Sequence, residues 1–272
     1  MGLDATVTLP ESVLLRAYAL GHTRDAEAGA LKPMRIWGGR RASGPCGIIS
    51  APAADVMAFA RMHLADGVAP NGARLLSAAA CRAMREPQVR LTPHAGTDAW
   101  GLGFEVSEPD GRLVFGHGGN TAGQTGTLKV VPDRNGAVLL QTNSDAGSAR
   151  CGDLLRSVLR EWFDVALEPP PVAPGEAAGG DLDRWVGVYE RVDVRFDVRR
   201  ADAGGLEVTI TPLRHYGAVE PPPPRTLPMT PFSDDAFLVQ PEGSPCGTPM
   251  VFREWPGSGA FLHMGLRSAP RS

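Results

Sequence analysis

The apolar positions of this chain change period along its length, and the change divides it. In the first half several stretches carry helical spacing. Val56, Phe59, Ala60 and His63 share one face of a helix predicted from Pro52 to about Ala65 and stopped by Asp66-Gly67. Ser50 stands where a side-chain oxygen caps free helix amides, and Pro52 falls in the first turn, where its missing N–H is harmless. A second short helix, Ala78 to Arg85, follows Ser77, again a capping residue. Leu154, Leu155, Val158, Leu159, Trp162, Phe163 and Val165 line one side of a longer helix, Ser148 to Leu167, with Asn143-Ser144-Asp145 as its cap. The first 45 residues are otherwise irregular, apart from a short helix over Leu14 to Leu20.

Between these helices the pattern shortens to strands. Trp100 to Val106, Arg112 to Phe115, Thr125 to Val131 and Ala137 to Thr142 are apolar or alternating runs. Pro109-Asp110-Gly111 and the run Pro132 to Gly136 supply turns for antiparallel pairing. From Glu168 to Gly180 proline and glycine crowd together, the composition of a linker with few contacts across it. Beyond it, alternating runs at 185–189, 192–198, 206–211, 236–239, 250–255 and 261–266 are broken by Gly/Pro turns. They predict a small antiparallel barrel, lipocalin-like in outline. Glu220 to Arg225, with its four consecutive prolines, is assigned to a surface loop of that barrel. The expected fold class is therefore α+β: a domain over residues 1–168, a linker at 169–180 and a β-barrel domain at 181–272.

Composition removes several function classes. A hydrophobic content of 43% with 21% charged residues is ordinary for a globular chain. A net charge of −3 provides no field that would draw nucleic acid or an acidic membrane. No apolar run approaches the ~20 residues of a membrane span, and Met1 to Ala5 carry no signal-peptide pattern. A cytoplasmic location follows only if Met1 is the true start. Cys46, Cys81, Cys151 and Cys246 form no Cys-x-x-Cys pair, and reduced thiols are expected. The six histidines show no ligand spacing, so neither a metal nor another cofactor is expected.

The candidate chemistry lies in Phe115-Gly116-His117-Gly118-Gly119-Asn120-Thr121-Ala122-Gly123-Gln124, a glycine-flanked histidine between two strands. With its following hairpin and helix, this run resembles the third active-site motif of the serine β-lactamase and penicillin-binding-protein superfamily, in its His-x-Gly form. That form marks the β-lactamase-related serine hydrolases: class C-like enzymes, DD-peptidases, D-aminopeptidases and esterases. The resemblance is close over 47–168 and looser over 1–46. It implies the back half of a β-lactamase/transpeptidase-like domain, an antiparallel sheet with flanking helices. C-terminal barrels that open on a run like Trp185-Val186-Gly187-Val188-Tyr189-Glu190 also occur in such proteins.

The resemblance further implies roles. The activity of the family is hydrolysis or transfer at an amide, lactam or ester carbonyl through an acyl-serine, on a small-molecule or peptide-like substrate. The backbone amide of Asn120 would form half of the oxyanion hole, and Gly118 and Gly119 would let substrate lie against the strand. His117 would be auxiliary, tuning proton transfer or touching a substrate carboxylate. The other two motifs of the superfamily are missing from the sequence. Three residues before Lys32 and Lys129 stand Gly29 and Gly126, so no Ser-x-x-Lys exists. Two residues before Asn71, Asn120, Asn135 and Asn143 stand Ala69, Gly118, Asp133 and Gln141, so no Tyr-x-Asn or Ser-x-Asn exists either. No nucleophile is assigned. The expectation is a fragment or homologue that is inactive as this chain alone, with a non-catalytic binding module as the alternative. The superfamily places two N-terminal strands beside a strand like Ala137 to Thr142. Their absence predicts an open sheet edge there, completed by self-association or by a partner chain.

Overall fold

The computed structural model describes residues 1–24, 29–34, 44–91, 97–121, 123–169, 181–202, 204–213, 223–240, 247–265 and 267–272. The described residues fall into two compact units, one within Met1–Glu168 and one within Pro169–Ser272. Cys246, most of the 169–180 segment and Glu220 to Pro222 of the proline run lie outside the described residues, as does the side chain of Cys46.

The first unit opens with α1 (Pro10–Val13), the two-stranded ribbon β1 (His22–Arg24) and β2 (Leu31–Pro33), and α2 (Gly44–Gly47). The helices α3 (Ala53–Leu64) and α4 (Ala78–Arg85) follow. Next come β3 (Val89–Arg90), β4 (Ala99–Trp100), β5 (Glu105–Ser107), β6 (Val114–Thr121), β7 (Gln124–Val131) and β8 (Gly136–Thr142). They form one antiparallel sheet in sequence order, β3-β4-β5-β6-β7-β8. The last helix, α5 (Ser148–Phe163), returns across it.

Alternation along the strands sends two apolar sets to opposite faces. Phe115, Val106, Leu128 and Val130 pack with Ala60, Phe59 and Val56 of α3, while Val114, Val131 and Val138 pack with Leu155 and Leu159 of α5. The result is a helix–sheet–helix sandwich in which β6 and β7 are central. Ser77 caps α4 as expected, its Oγ accepting from the Ala80 amide at 3.0 Å.

Several expectations are corrected. The segment Leu14 to Leu20 is not helical; the short helix is Pro10–Val13, because a proline in the first turn fixes its start and Leu14 already ends it. Ser50 does not cap α3. Its backbone pairs with Val7 in both directions at 2.9 Å, and Pro52 is the capping position. Trp100 to Val106 is not one strand but the hairpin β4–β5, since Gly103 at φ +88 reverses the chain. Asn143 and Asp145 are not caps of α5, whose cap is Gly147. Their side chains turn to the N-terminal segment, Asn143 donating to the Leu20 carbonyl and Asp145 accepting from Thr23. The helix α5 stops at Phe163, because Asp164 takes the left-handed conformation. Val165 and Leu167 are buried from extended chain instead, and Leu154 and Trp162 face solvent.

The second unit is an eight-stranded meander. It comprises β9 (Gly187–Arg191), β10 (Val194–Arg200), β11 (Leu206–Pro212), β12 (Arg225–Ser233), β13 (Ala236–Val239), β14 (Thr248–Trp255), β15 (Gly259–Met264) and β16 (Arg267–Pro270). The ends nearly close on each other through a Tyr189–Arg271 bridge and the Ser272 amide on Val188. Trp185, Tyr189, Phe196, Phe237, Phe252 and Met250 fill the middle, so this is a packed barrel. The sequence pattern omits two of its strands: β12, which carries Pro228 and Pro231, and β16, which has a single buried residue, Ala269.

Candidate functional site

The glycine-flanked histidine lies inside a strand rather than in a loop before one. β6 runs unbroken through Asn120 because every residue from Phe115 to Thr121 pairs with β7, His117 opposite Leu128 and Gly119 opposite Gly126. Pairing satisfies the backbone of a glycine run that side-chain propensity would leave irregular. Two glycines are fixed by packing. A Cβ at Gly116 would stand 1.8 Å from the Leu128 carbonyl oxygen, and one at Gly123, where φ is +73, would meet the His22 backbone at 2.7 Å. Gly118 and Gly119 differ. A Cβ at Gly118 would meet the Glu105 carboxylate at an ordinary 3.8 Å, and one at Gly119 would meet nothing within 4 Å. No internal contact demands glycine there; the space beside them is open.

The two edges of β6 are unequal. Its even-numbered amides face β5, as the Gly118 N–H donating to Glu105 Oε1 at 3.3 Å shows. β5 pairs only as far as Glu105 opposite Gly116. By strand alternation the Asn120 N–H points to the same edge, beyond the reach of β5. Glu105 reaches across Gly116, which has no side chain to block it, and its Oε2 accepts from Lys129 Nζ at 2.9 Å. Burial alone would raise the Glu105 carboxyl. The Lys129 ammonium, with the Gly118 amide, outweighs that and holds it below the ordinary carboxylate value. His117 is exposed, its Nδ1 in contact with the Gly118 carbonyl and its ring edge-on to Trp100 at 5.4 Å between centroids.

Beside this strand lies a cavity of about 830 Å³, within the range of small-molecule sites. Gly119, Thr121, Gln124 and Gly126 form one wall, and residues 16–19 with 47–52 form others. The N-terminal wall is tied to the hairpin by Gln124 donating to the Ala19 carbonyl at 2.9 Å and by the His22 amide on the Gly123 carbonyl at 3.1 Å. Of the four sequence candidates, only Gly119 lines the cavity; His117, Gly118 and Asn120 stand beside it on the same strand. Glu105 and Lys129 were not singled out from the sequence for this site. Their one signal is that Lys129 is one of two lysines in an arginine-rich chain. Among the described residues no group of three or more His, Cys, Asp or Glu is arranged to hold a metal.

The Beta-lactamase family model matches residues 2–159, more than half of the chain. The chain belongs to the beta-lactamase family. Penicillin-binding protein 4 of Amycolatopsis lactamdurans is 36% identical over 194 residues, 70% of this chain and 51% of that protein. Among solved structures, SurE superposes with a TM-score of 0.70 at 26% identity, over 93% of this chain and 55% of SurE. SurE solved with D-Leu gives 0.65 at 26% identity, over 92% and 57%. The chain therefore spans about half the length of these relatives. A beta-lactamase fold followed along the chain by a barrel is what both the sheet order and the SurE likeness show. No helix among the described residues is long and apolar enough to cross a membrane.

Proposed function

We propose that this chain forms the His-x-Gly wall of an acyl-serine hydrolase site, for amide, lactam or ester carbonyls, and is catalytically silent by itself. The observation that carries the reading is a conjunction: membership of the beta-lactamase family in a sequence with no Ser-x-x-Lys and no Tyr-x-Asn. Nucleophilic acyl transfer requires a hydroxyl activated by an adjacent base, and the two motifs that supply them in this family are missing from these 272 residues. What they do contain suits the other half of the task. The Asn120 amide points off β6 beyond the end of its pairing with β5, and the open space at Gly119 leaves room for substrate against the backbone. His117 acts as an auxiliary group beside that edge.

The substrate class we infer is peptide-like, with a D-configured residue, since SurE was solved with D-Leu. The reading divides the chain into a partial catalytic domain at 1–168, a linker at 169–180 and a barrel domain at 181–272. Use as a binding module without chemistry is a second reading, favoured by the complete tie between the N-terminal wall and the β6–β7 hairpin. Purified chain should neither hydrolyse nitrocefin or p-nitrophenyl esters nor be labelled by a fluorescent penicillin. Stoichiometric labelling of any serine would overturn the reading.

A further inference from the structure

The cavity beside Gly119 carries one formal charge among the described residues that line it, and that charge is Arg16. The remaining described lining is apolar, small or neutral: Val13, Ile48 and Ile49 give an apolar side, and no aspartate or glutamate among the described residues lines it. Arg16 is placed by its backbone and by its side chain. Its amide bonds to the Val13 carbonyl at 2.9 Å, closing the turn after α1, and its Nη1 donates to the Asp4 carbonyl at 3.1 Å. That contact is with a neutral oxygen, and no carboxylate among the described residues pairs with this guanidinium. The wall it stands on is held to the motif hairpin three residues later, through Ala19 and Gln124.

We propose that Arg16 is a specificity-determining residue that takes the free carboxylate of a peptide-like ligand lying in this cavity. A guanidinium has five donors in a planar fork, and one donor on a backbone carbonyl leaves the rest for a planar anion. An apolar side next to a lone cation fits an aliphatic residue with a terminal carboxylate better than an amine or a neutral sugar. A cationic ligand would meet Arg16 with no anion among the described lining residues to offset it. The inference rests on the proposed function for the identity of the cavity as a substrate site, and it adds which end group that site selects.

The test compares two probes on the intact chain by amide chemical-shift mapping: N-acetyl-D-leucine and its N-methylamide, which differ only in the carboxylate. The acid should shift amides at Gly119, Gly126 and Arg16, and the methylamide should bind at least about tenfold more weakly, the loss of one charge-assisted hydrogen bond. Arg16→Gln should bring the acid down to the methylamide's affinity, while Arg16→Lys should keep part of the difference. A dispersed, otherwise unchanged spectrum certifies the folding of each variant, and the acid–amide comparison in the unaltered chain needs no variant at all. Equal binding of the two probes in the cavity, or acid binding indifferent to Arg16→Gln, would overturn the assignment and leave the acyl-hydrolase reading standing. Absence of shifts with both probes at millimolar concentration would overturn it too. A positive acid–amide difference alongside penicillin labelling would instead sink the silent-chain reading alone.

Discussion

Replacing Lys129 with methionine should cost the first unit about 3 kcal/mol at neutral pH. The Lys129–Glu105 pair is 2.9 Å long, with side-chain exposures of 7% and 16%. At an effective dielectric of about 20 its Coulomb attraction is about 6 kcal/mol, but the desolvation of two ions opposes most of that. The intact pair is therefore worth little net, whereas a lone carboxylate left behind costs about 3–5 kcal/mol. We take the low end because Glu105 keeps some water. The double variant Glu105→Met/Lys129→Met should cost only about 1 kcal/mol, for the lost acceptor of the Gly118 amide. The sign with pH follows from the depressed Glu105 carboxyl. Its stabilising contribution is present above the unfolded value near 4.5 and is lost as pH falls through the folded value. In Lys129→Met the carboxyl escapes by taking up a proton, so the cost should shrink from pH 7 to pH 4. Native-state hydrogen exchange of β6–β8 amides is the assay, because two units do not give one unfolding free energy. Single and double variants with equal costs would refute the account.

Two other outcomes follow from the same unit. His63 is 1% exposed among Phe59, Phe104 and Phe115, both ring nitrogens lack a partner, and burial, with Arg85 nearby, pushes its pKa below 6.5. The unfolded chain then binds the proton more readily, so stability should fall as pH drops through about 6.5, and His63→Leu should flatten that slope in native-state hydrogen exchange of the first unit at pH 7.5 and 5.5. Among the described residues β8 pairs with β7 only, so its outer edge is open, and sedimentation should show concentration-dependent self-association. A monomer at all concentrations would remove that edge as a docking surface.

The helices were legible because each buries one side, and one-sided burial leaves a period in the sequence; α3 with Phe59 and Ala60 is of that kind. β7 was legible as a continuous apolar run because it is buried on both faces, Val130 toward α3 and Val131 toward α5. Capping was read less well. Ser50, Asn143 and Asp145 are the residue types that cap helices, yet each is engaged by the N-terminal segment, a competitor that local pattern does not contain. The prolines of β12 mislead for a related reason. Proline removes one donor from a ladder; Pro231 falls where the register already shifts, between Pro231 and Ser233, whereas Pro228 is held in regular register opposite Glu207.

The site shows the same division more sharply. His117, Gly118, Gly119 and Asn120 could be picked out because their run, with its hairpin and following helix, resembles the His-x-Gly motif of the family, but the extended conformation that gives them meaning comes from pairing with β7. Glu105 and Lys129 lie 24 residues apart and meet only because both are registered on Gly116. That glycine is the hinge of the arrangement. A side chain there would strike the Leu128 carbonyl and, on the face where Glu105 reaches Lys129, would stand between the two. Gly116 therefore permits the ion pair that engages the Gly118 amide, and by doing so it makes the Asn120 amide the next donor along that edge. A motif read as a string supplies the histidine and the glycines. Which of its amides lies beyond the occupied part of that edge depends on Gly116, whose missing side chain lets Glu105 cross.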